Sequence, residues 1–260
     1  MPRGVFAESP ERIAFREYED APLKPGQIRI RSEFGAAKHG TELAVLRGYA
    51  GARGPWDGGL RVFKGGPEKP GPGSTLVGNM VVGRVTELGE GVSGLEEGDR
   101  VLSYGGFRET LVVGGTAGAR GDGRVLVKLP DEVDWRSAVC LDPGAYALAA
   151  VRDGNLRPGD AAAIFSLGAI GLMAVQWARL AGASPVIAVE PLESRRRLAS
   201  GLGADLCLDP TACDAGLEIK KATQNRGADV AVEYSGSPRA LQSALKGLAF
   251  GGTVVCGAFP

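Results

Sequence analysis

Residues 161–190 constrain the fold of this chain more than any other part of the sequence. A short apolar strand at 161–165 precedes the turn SLGAIG, a helix with apolar residues at helical spacing, and a second, β-branched strand. Strand, glycine turn, helix and strand in this order form a parallel βαβ unit. The segment therefore predicts a doubly wound α/β domain.

The glycine turn at 166–171 fits the pattern G-x-G-x-x-G except at its first position, which holds Ser166. Gly168 allows the backbone to approach a pyrophosphate, and Gly171 allows the helix to lie close to the strand. The N–H groups of the first helical turn, at Ala169 and Ile170, and the positive end of the helix dipole attract an anion. We therefore expect these five residues to bind the pyrophosphate of a dinucleotide.

The acid that ends the second strand predicts the type of dinucleotide. Glu190 follows the glycines by about 20 residues, where a carboxylate accepts hydrogen bonds from the adenosine ribose and repels a 2′-phosphate. This position favours NAD. Arg195, with Arg196 and Arg197, leaves NADP open, because a guanidinium near the ribose could meet a phosphate. The three arginines could equally form a solvated first turn of the next helix.

The pattern of elements predicts two domains, for which 260 residues are sufficient. Short strands separated by glycine turns extend to Leu129, and helices alternate with strands from Trp135 onward. We place the boundary in the turn-rich linker at 155–160, giving a first domain at 1–154 and a second at 155–260.

Ser235 and Gly257 follow later strands at the carboxyl edge of the second domain. They are candidate cofactor contacts, although the tight turns Ser235-Gly236 and Gly257-Ala258, which need glycine, explain these positions equally well.

Composition excludes several classes of function. The 30 basic and 30 acidic side chains cancel, so no global positive field favours nucleic acid. No stretch approaches the roughly 20 apolar residues of a membrane helix, and the N-terminus lacks a secretory segment. The four cysteines show no C-x-x-C spacing and are expected to be reduced thiols. These features predict a cytoplasmic protein that binds neither nucleic acid nor membrane.

Strings outside the glycine turn add a family resemblance. They are GTEL at 40–43, VGRV at 82–85, LGEGV at 88–92, GDRV at 98–101 and EYSGS at 233–237. With them, nearly the whole chain resembles the medium-chain dehydrogenase/reductase superfamily of zinc-type alcohol dehydrogenases and their relatives. The string GTEL and the WD pair at 56–57 are most similar to its bacteriochlorophyllide a dehydrogenase-like branch.

The resemblance implies a GroES-like, mainly β catalytic domain followed by a Rossmann domain, with a small-molecule substrate bound between them. Relatives continue after a sixth strand, so the chain resembles one that is C-terminally truncated by roughly 70 to 90 residues. Such a truncated sheet exposes the edge of its fifth strand. A homodimer formed at that edge is one expectation.

The resemblance departs most at the catalytic zinc. Zinc-dependent relatives carry a cysteine before the G-T/S-D/E string, a Gly-His-Glu triplet after the loop, and a cysteine or carboxylate before the linker. The corresponding positions here hold His39, Gly78-Asn79-Met80 and Asp142. Only His39 and Asp142 are good zinc ligands, whereas a catalytic site needs three. We therefore expect no tightly bound zinc, with Glu42 or Glu33 left open as a third ligand.

Hydride transfer without zinc requires a proton acceptor and a donor that stabilises an alkoxide. His39, the single histidine of the chain, is the candidate acid/base, and Lys38 is an electrostatic alternative. Thr41 matches the hydroxyl that relays the alcohol proton in relatives. Asp142 either orients His39 or caps the following helix.

These residues predict an NAD(P)-dependent oxidoreductase that acts on an alcohol or carbonyl, or that reduces an activated double bond. Two alternatives stay open. In one the chain binds the cofactor without turnover, and in the other it keeps only the fold. A solvated or structural role for His39 is the alternative to catalysis.

Overall fold

In a computed structural model of the protein, which describes residues 1–9, 12–46, 56–64, 75–115 and 126–258, two units separate between Cys140 and Leu141. The sequence placed the boundary between 154 and 155. The difference is one helix, Leu141–Asp153, which packs on the helix Ala169–Leu180 of the second unit. This helix has 13 residues.

Among the residues that the structure describes, no helix has the length and hydrophobicity to cross a bilayer.

The first unit is built mainly from antiparallel strands. Its elements are β1 (Arg3–Ser9), β2 (Arg12–Glu17), β3 (Gln27–Ala36), α1 (His39–Leu46), β4 (Trp56–Asp57), β5 (Val62–Phe63), β6 (Thr75–Leu76), β7 (Met80–Leu88), β8 (Arg100–Tyr104), β9 (Thr110–Gly114), β10 (Leu126–Lys128) and α2 (Trp135–Ala138). Its largest sheet has the order β10-β8-β7-β3-β9. Alternate residues of β3, Ile28 and Ile30, are buried with Val85 and Val101 in its core. The predicted mainly β character of the first half is confirmed.

The second unit contains the parallel sheet that the glycine turn predicts. Its elements are α3 (Leu141–Asp153), β11 (Ala162–Phe165), α4 (Ala169–Leu180), β12 (Val186–Val189), α5 (Glu193–Gly201), β13 (Leu206–Leu208), α6 (Ala215–Ala222), β14 (Ala228–Glu233), α7 (Pro238–Gly247) and β15 (Leu248–Cys256). The strand order is β13-β12-β11-β14-β15. The chain runs outward from β11 to β13 and then returns to the other side of β11. Ligands of doubly wound sheets bind at the carboxyl edge where the order reverses, here between β11 and β14.

Every residue of the central strand β11 is buried. Ala162 and Ile164 belong to one core cluster, which includes residues of α3 and α4. Ala163 and Phe165 belong to a second cluster, which includes residues of α6 and α7. A strand covered by helices on both faces accounts for the continuous apolar run in the sequence, since neither face meets water.

Candidate functional site

The turn between β11 and α4 has the backbone conformation of a glycine turn although it begins with serine. Ser166 has a φ of +70°, in the left-handed region that favours glycine. Its N–H donates to the Val189 carbonyl at 2.9 Å, and the preceding carbonyl, of Phe165, accepts from the Tyr234 N–H at 3.1 Å. Hydrogen bonds from both neighbouring strands therefore hold the serine in this conformation.

Gly171 is required by the close approach of α4 to this turn. A Cβ atom at this position would lie 1.9 Å from the Ser166 carbonyl oxygen. Gly168, the N-cap residue of α4, has an extended backbone with φ −67° and ψ −172°. Because glycine has no side chain to cap the helix, the first-turn N–H groups at Ala169 and Ile170 are suited to an anionic ligand. Pyrophosphate binding by these residues stays a prediction.

Replacing Ser166 by glycine is expected to raise the free energy of unfolding by up to about 1 kcal/mol. A left-handed backbone costs a non-glycine residue roughly 1–2 kcal/mol, which the greater unfolded-state entropy of glycine partly offsets. Urea unfolding of the unmodified chain and of Ser166→Gly measures the difference. A clear loss of stability would mean that the serine hydroxyl makes a contact that outweighs the strain.

Glu190, at the end of β12, braces the glycine turn. The residue is 3% exposed, and its Oε2 atom accepts a hydrogen bond from the Leu167 N–H at 2.8 Å. Its Oε1 atom accepts from the Leu192 N–H at 3.1 Å. A carboxylate has about four acceptor positions, so this one can also receive a ribose hydroxyl. The sequence indicated only the ribose role, because the contact with Leu167 depends on two strands being neighbours.

The three arginines at 195–197 have different surroundings. The Arg195 side chain is 43% exposed and its guanidinium lies 3.6 Å from Glu190 Oε2. Arg196 donates to the Glu190 carbonyl at 2.6 Å and pairs with Asp209, and Arg197 pairs with Glu193 on its own helix. Arg195 is therefore the one of the three that stands beside the Glu190 carboxylate.

A second buried carboxylate, Glu233, ends β14 on the opposite side of β11. It is 3% exposed; its Oε1 atom accepts from the Ser235 N–H at 2.5 Å and from the Ser235 hydroxyl, and its Oε2 atom accepts from the Gly236 N–H at 3.1 Å. The predicted cofactor contact Ser235 is thus hydrogen-bonded to Glu233 in this structure. Sequence reasoning missed Glu233, although an acid at the end of a buried strand, as at Glu190, was the available signal.

Gly257 lies against an aromatic ring. A Cβ atom at this position would lie 2.3 Å from Cε1 of Tyr234, and the Gly257 N–H donates to the Glu233 carbonyl at 2.8 Å. Close packing with the Tyr234 ring therefore explains why position 257 holds a glycine. Cofactor contact at Gly257 stays a prediction.

The first unit holds most of the predicted catalytic residues. His39 is the first residue of α1 and is exposed, Lys38 precedes it and is half-buried, and the side chain of Thr41 lies outside the described part of the structure. Glu42, in the same helical turn, is 7% exposed. Its Oε2 atom accepts from the Gly78 N–H at 2.9 Å. Glu42 therefore fixes the start of α1 to the segment before β7.

The donor atoms near Gly78 do not match a catalytic zinc site. The Nδ2 atom of Asn79 is buried and has no hydrogen-bond partner in the structure. Met80 is 2% exposed in the core. The Glu33 carboxylate pairs with Arg84 at 3.3 Å. Over the described ranges, no three His, Cys, Asp or Glu side chains are grouped as metal ligands. An amide and a thioether are poor partners for zinc, which prefers thiolate, imidazole or carboxylate.

Asp142 belongs to the second unit, in the first turn of α3. An acidic side chain at a helix N-terminus is stabilised by the helix dipole, which gives Asp142 a structural role. Because His39 lies in the first unit, an interaction between the two side chains stays a prediction.

Comparisons with known proteins identify similar chains. A family described as "Zinc-binding dehydrogenase" matches residues 169–260. D-guloside 3-dehydrogenase of Escherichia coli (strain K12) is 41% identical over 98% of this chain and 73% of its own length. The structure of 2R,3R-butanediol dehydrogenase from Bacillus subtilis matches with a TM-score of 0.77 and 27% identity, over 100% of this chain and 78% of that one.

A third similar protein carries a nucleotide. It is a putative zinc-binding dehydrogenase from Sinorhizobium meliloti 1021, whose structure is described as bound to NADP. The match has a TM-score of 0.78 and 25% identity, and it covers 100% of this chain and 77% of that one.

Proposed function

Because the chain belongs to the zinc-binding dehydrogenases of the medium-chain dehydrogenase/reductase superfamily, we propose that it transfers hydride between a nicotinamide dinucleotide and a secondary alcohol. The observation that carries the proposal is the turn at 166–171. Ser166 keeps the backbone of a glycine turn, and Glu190 braces it beside the N-terminus of α4. This arrangement suits a pyrophosphate because it presents free N–H groups at the positive end of a helix.

We propose NAD as the cofactor, with NADP as the alternative. The Glu190 carboxylate would accept hydrogen bonds from the ribose hydroxyls and repel a 2′-phosphate. Arg195 is the residue through which NADP would be accommodated, since its guanidinium lies beside that carboxylate. The NADP in the Sinorhizobium meliloti relative supports a nicotinamide nucleotide in general.

For the substrate we propose a hydroxylated carbohydrate or a polyol. The names of the similar proteins support this class, since a guloside and a butanediol both offer secondary hydroxyl groups. Oxidation of such a group removes a hydride from carbon and a proton from oxygen. When bound, the nicotinamide accepts the hydride and the protein has to accept the proton.

We assign proton transfer to the start of α1. The Thr41 hydroxyl would take the alcohol proton and pass its own to the His39 imidazole, the candidate acid/base. Lys38 is the alternative group that would stabilise an alkoxide through its charge. Glu42 fixes this helical turn to Gly78 and so would hold the backbone that carries these residues.

We further propose that the reaction proceeds without catalytic zinc. Support comes from the donor set, in which Asn79 and Met80 occupy the positions of the histidine and glutamate in zinc-dependent relatives. Assignment to the bacteriochlorophyllide a dehydrogenase-like branch is part of the same proposal and rests on the GTEL and WD strings.

Nucleotide titration combined with metal analysis tests the proposed function. We expect the purified chain to bind NADH more tightly than NADPH, to contain much less than one zinc per chain, and to oxidise polyols or glycosides equally well after chelation. Binding without turnover across a panel of alcohols and carbonyls would favour the cofactor-binding alternative. Failure to bind either nucleotide would exclude the proposal.

A further inference from the structure

Two tyrosines from separate elements meet beside the glycine turn. Tyr146 lies on α3 and Tyr234 directly follows β14, and their ring centroids are 6.4 Å apart with the planes inclined at 45°. The Tyr146 hydroxyl donates to the Gly257 carbonyl at 3.4 Å. The backbone N–H of Tyr234 donates to Phe165, the residue before the turn, at 3.1 Å. Tyr234 therefore borders the turn on the β14 side, opposite Glu190.

The hydroxyl of Tyr234 is buried and has no hydrogen-bond partner in the structure. Its ring is fixed against Gly257, where a Cβ atom would lie 2.3 Å from Cε1. Burial, with a smaller contribution from Tyr146, raises the pKa of Tyr234 well above its ordinary value, so the hydroxyl stays protonated and able to donate. A buried donor without an acceptor costs free energy, which a ligand oxygen in reach would recover.

The topology of the sheet indicates which part of a dinucleotide meets this hydroxyl. A dinucleotide crosses the carboxyl edge where the strand order reverses, with its pyrophosphate at the helix N-terminus. Glu190, the proposed contact of the adenosine ribose, lies on the β12 side of the turn. The nicotinamide half of the dinucleotide would then lie on the β14 side. Tyr146, whose ring centroid lies 6.4 Å from that of Tyr234, is 42% exposed, so the tyrosine pair reaches the protein surface on the Tyr146 side.

We propose that Tyr234 is a binding residue for the nicotinamide half of the cofactor, donating its hydroxyl hydrogen bond to an oxygen of the nicotinamide riboside. The inference rests on the proposed function and deepens it at the same site. The oxygen belongs either to the ribose hydroxyls or to the carboxamide, and both are acceptors.

Dissociation constants of NADH, ADP-ribose and AMP, measured on the full chain and on Tyr234→Phe, test the proposal. Loss of one neutral hydrogen bond is expected to raise the dissociation constant of NADH about three- to tenfold. That of AMP, which lacks the nicotinamide half, should not change. An equal loss for ADP-ribose assigns the contact to the ribose, and an unchanged value for ADP-ribose assigns it to the carboxamide.

Tyr18→Phe is the matched control, because it removes a hydroxyl that is hydrogen-bonded to Thr110 in the first unit. We expect this variant to be less stable but to bind NADH normally. Tyr234→Phe should unfold at the same or a higher urea concentration, which separates a binding role from a structural one. Equal NADH affinity in Tyr234→Phe and the unmodified chain overturns this inference alone. An unmodified chain that binds neither NADH nor NADPH overturns the proposed function together with it.

Discussion

Replacing Gly171 by alanine is expected to destabilise the second unit by about 3 kcal/mol, the upper end of the usual cost of forcing an extra atom into a packed site. The new Cβ would lie 1.9 Å from a backbone oxygen, that of Ser166, which no change of side-chain rotamer can relieve. The start of α4 must therefore move away from β11. Because the first-turn N–H groups of α4 move with it, we also expect NADH affinity to fall at least tenfold. Urea unfolding and NADH titration measure the two effects.

Gly201→Ala provides the control for this substitution. Gly201 also lies in a helix, at the end of α5, but a Cβ atom there would have no neighbour within 4 Å. Alanine should stabilise this position by up to about 1 kcal/mol, since it has the higher helix propensity. If Gly171→Ala and Gly201→Ala change stability and NADH affinity equally, the close approach of α4 to Ser166 determines neither property.

Replacing Glu190 by glutamine is expected to destabilise the fold by about 2 kcal/mol and to change cofactor preference. The buried carboxylate accepts from Leu167 and Leu192, and hydrogen bonds to charged groups contribute about 1.5–3 kcal/mol each, part of which an amide oxygen retains. The substitution also removes the charge that repels a 2′-phosphate and releases Arg195. The ratio of NADPH to NADH dissociation constants should fall at least tenfold.

Titrations of both nucleotides with Glu190→Gln and with Glu193→Gln check this expectation. Glu193 is an exposed acid on the next helix that pairs with Arg197, so its loss should leave the ratio unchanged. An unmodified chain that already prefers NADPH, or a ratio insensitive to Glu190, contradicts the assignment of the ribose contact.

Much of the second unit could be predicted because its signals are local. These signals all lie within one βαβ unit: the apolar run of β11, the glycines at 168 and 171, and the acid at 190. Their order along the chain is enough to predict the strand, the turn, the helix and the second strand. The domain boundary was harder to predict. Helix α3 belongs to the second unit through its packing on α4, where the Trp177 indole N–H donates to the Gly144 carbonyl at 3.0 Å. That contact joins residues far apart in sequence.

Other parts of the candidate site depend on conformation or on partners from distant strands. At Ser166 the sequence departs from the glycine pattern, whereas hydrogen bonds with Val189 of β12 and with Tyr234 after β14 hold the turn in the glycine conformation. The packing of Tyr234 on Gly257 joins the ends of two neighbouring parallel strands, β14 and β15. A sequence without its sheet order does not reveal such pairs.

The two buried carboxylates also bear on the entropy of binding. Glu190 and Glu233 each hold the backbone N–H groups of loops at the carboxyl edge of the sheet. The conformational entropy of these loops is therefore lost during folding and not when a ligand arrives. A preorganised edge of this kind leaves more of the contact energy available as affinity.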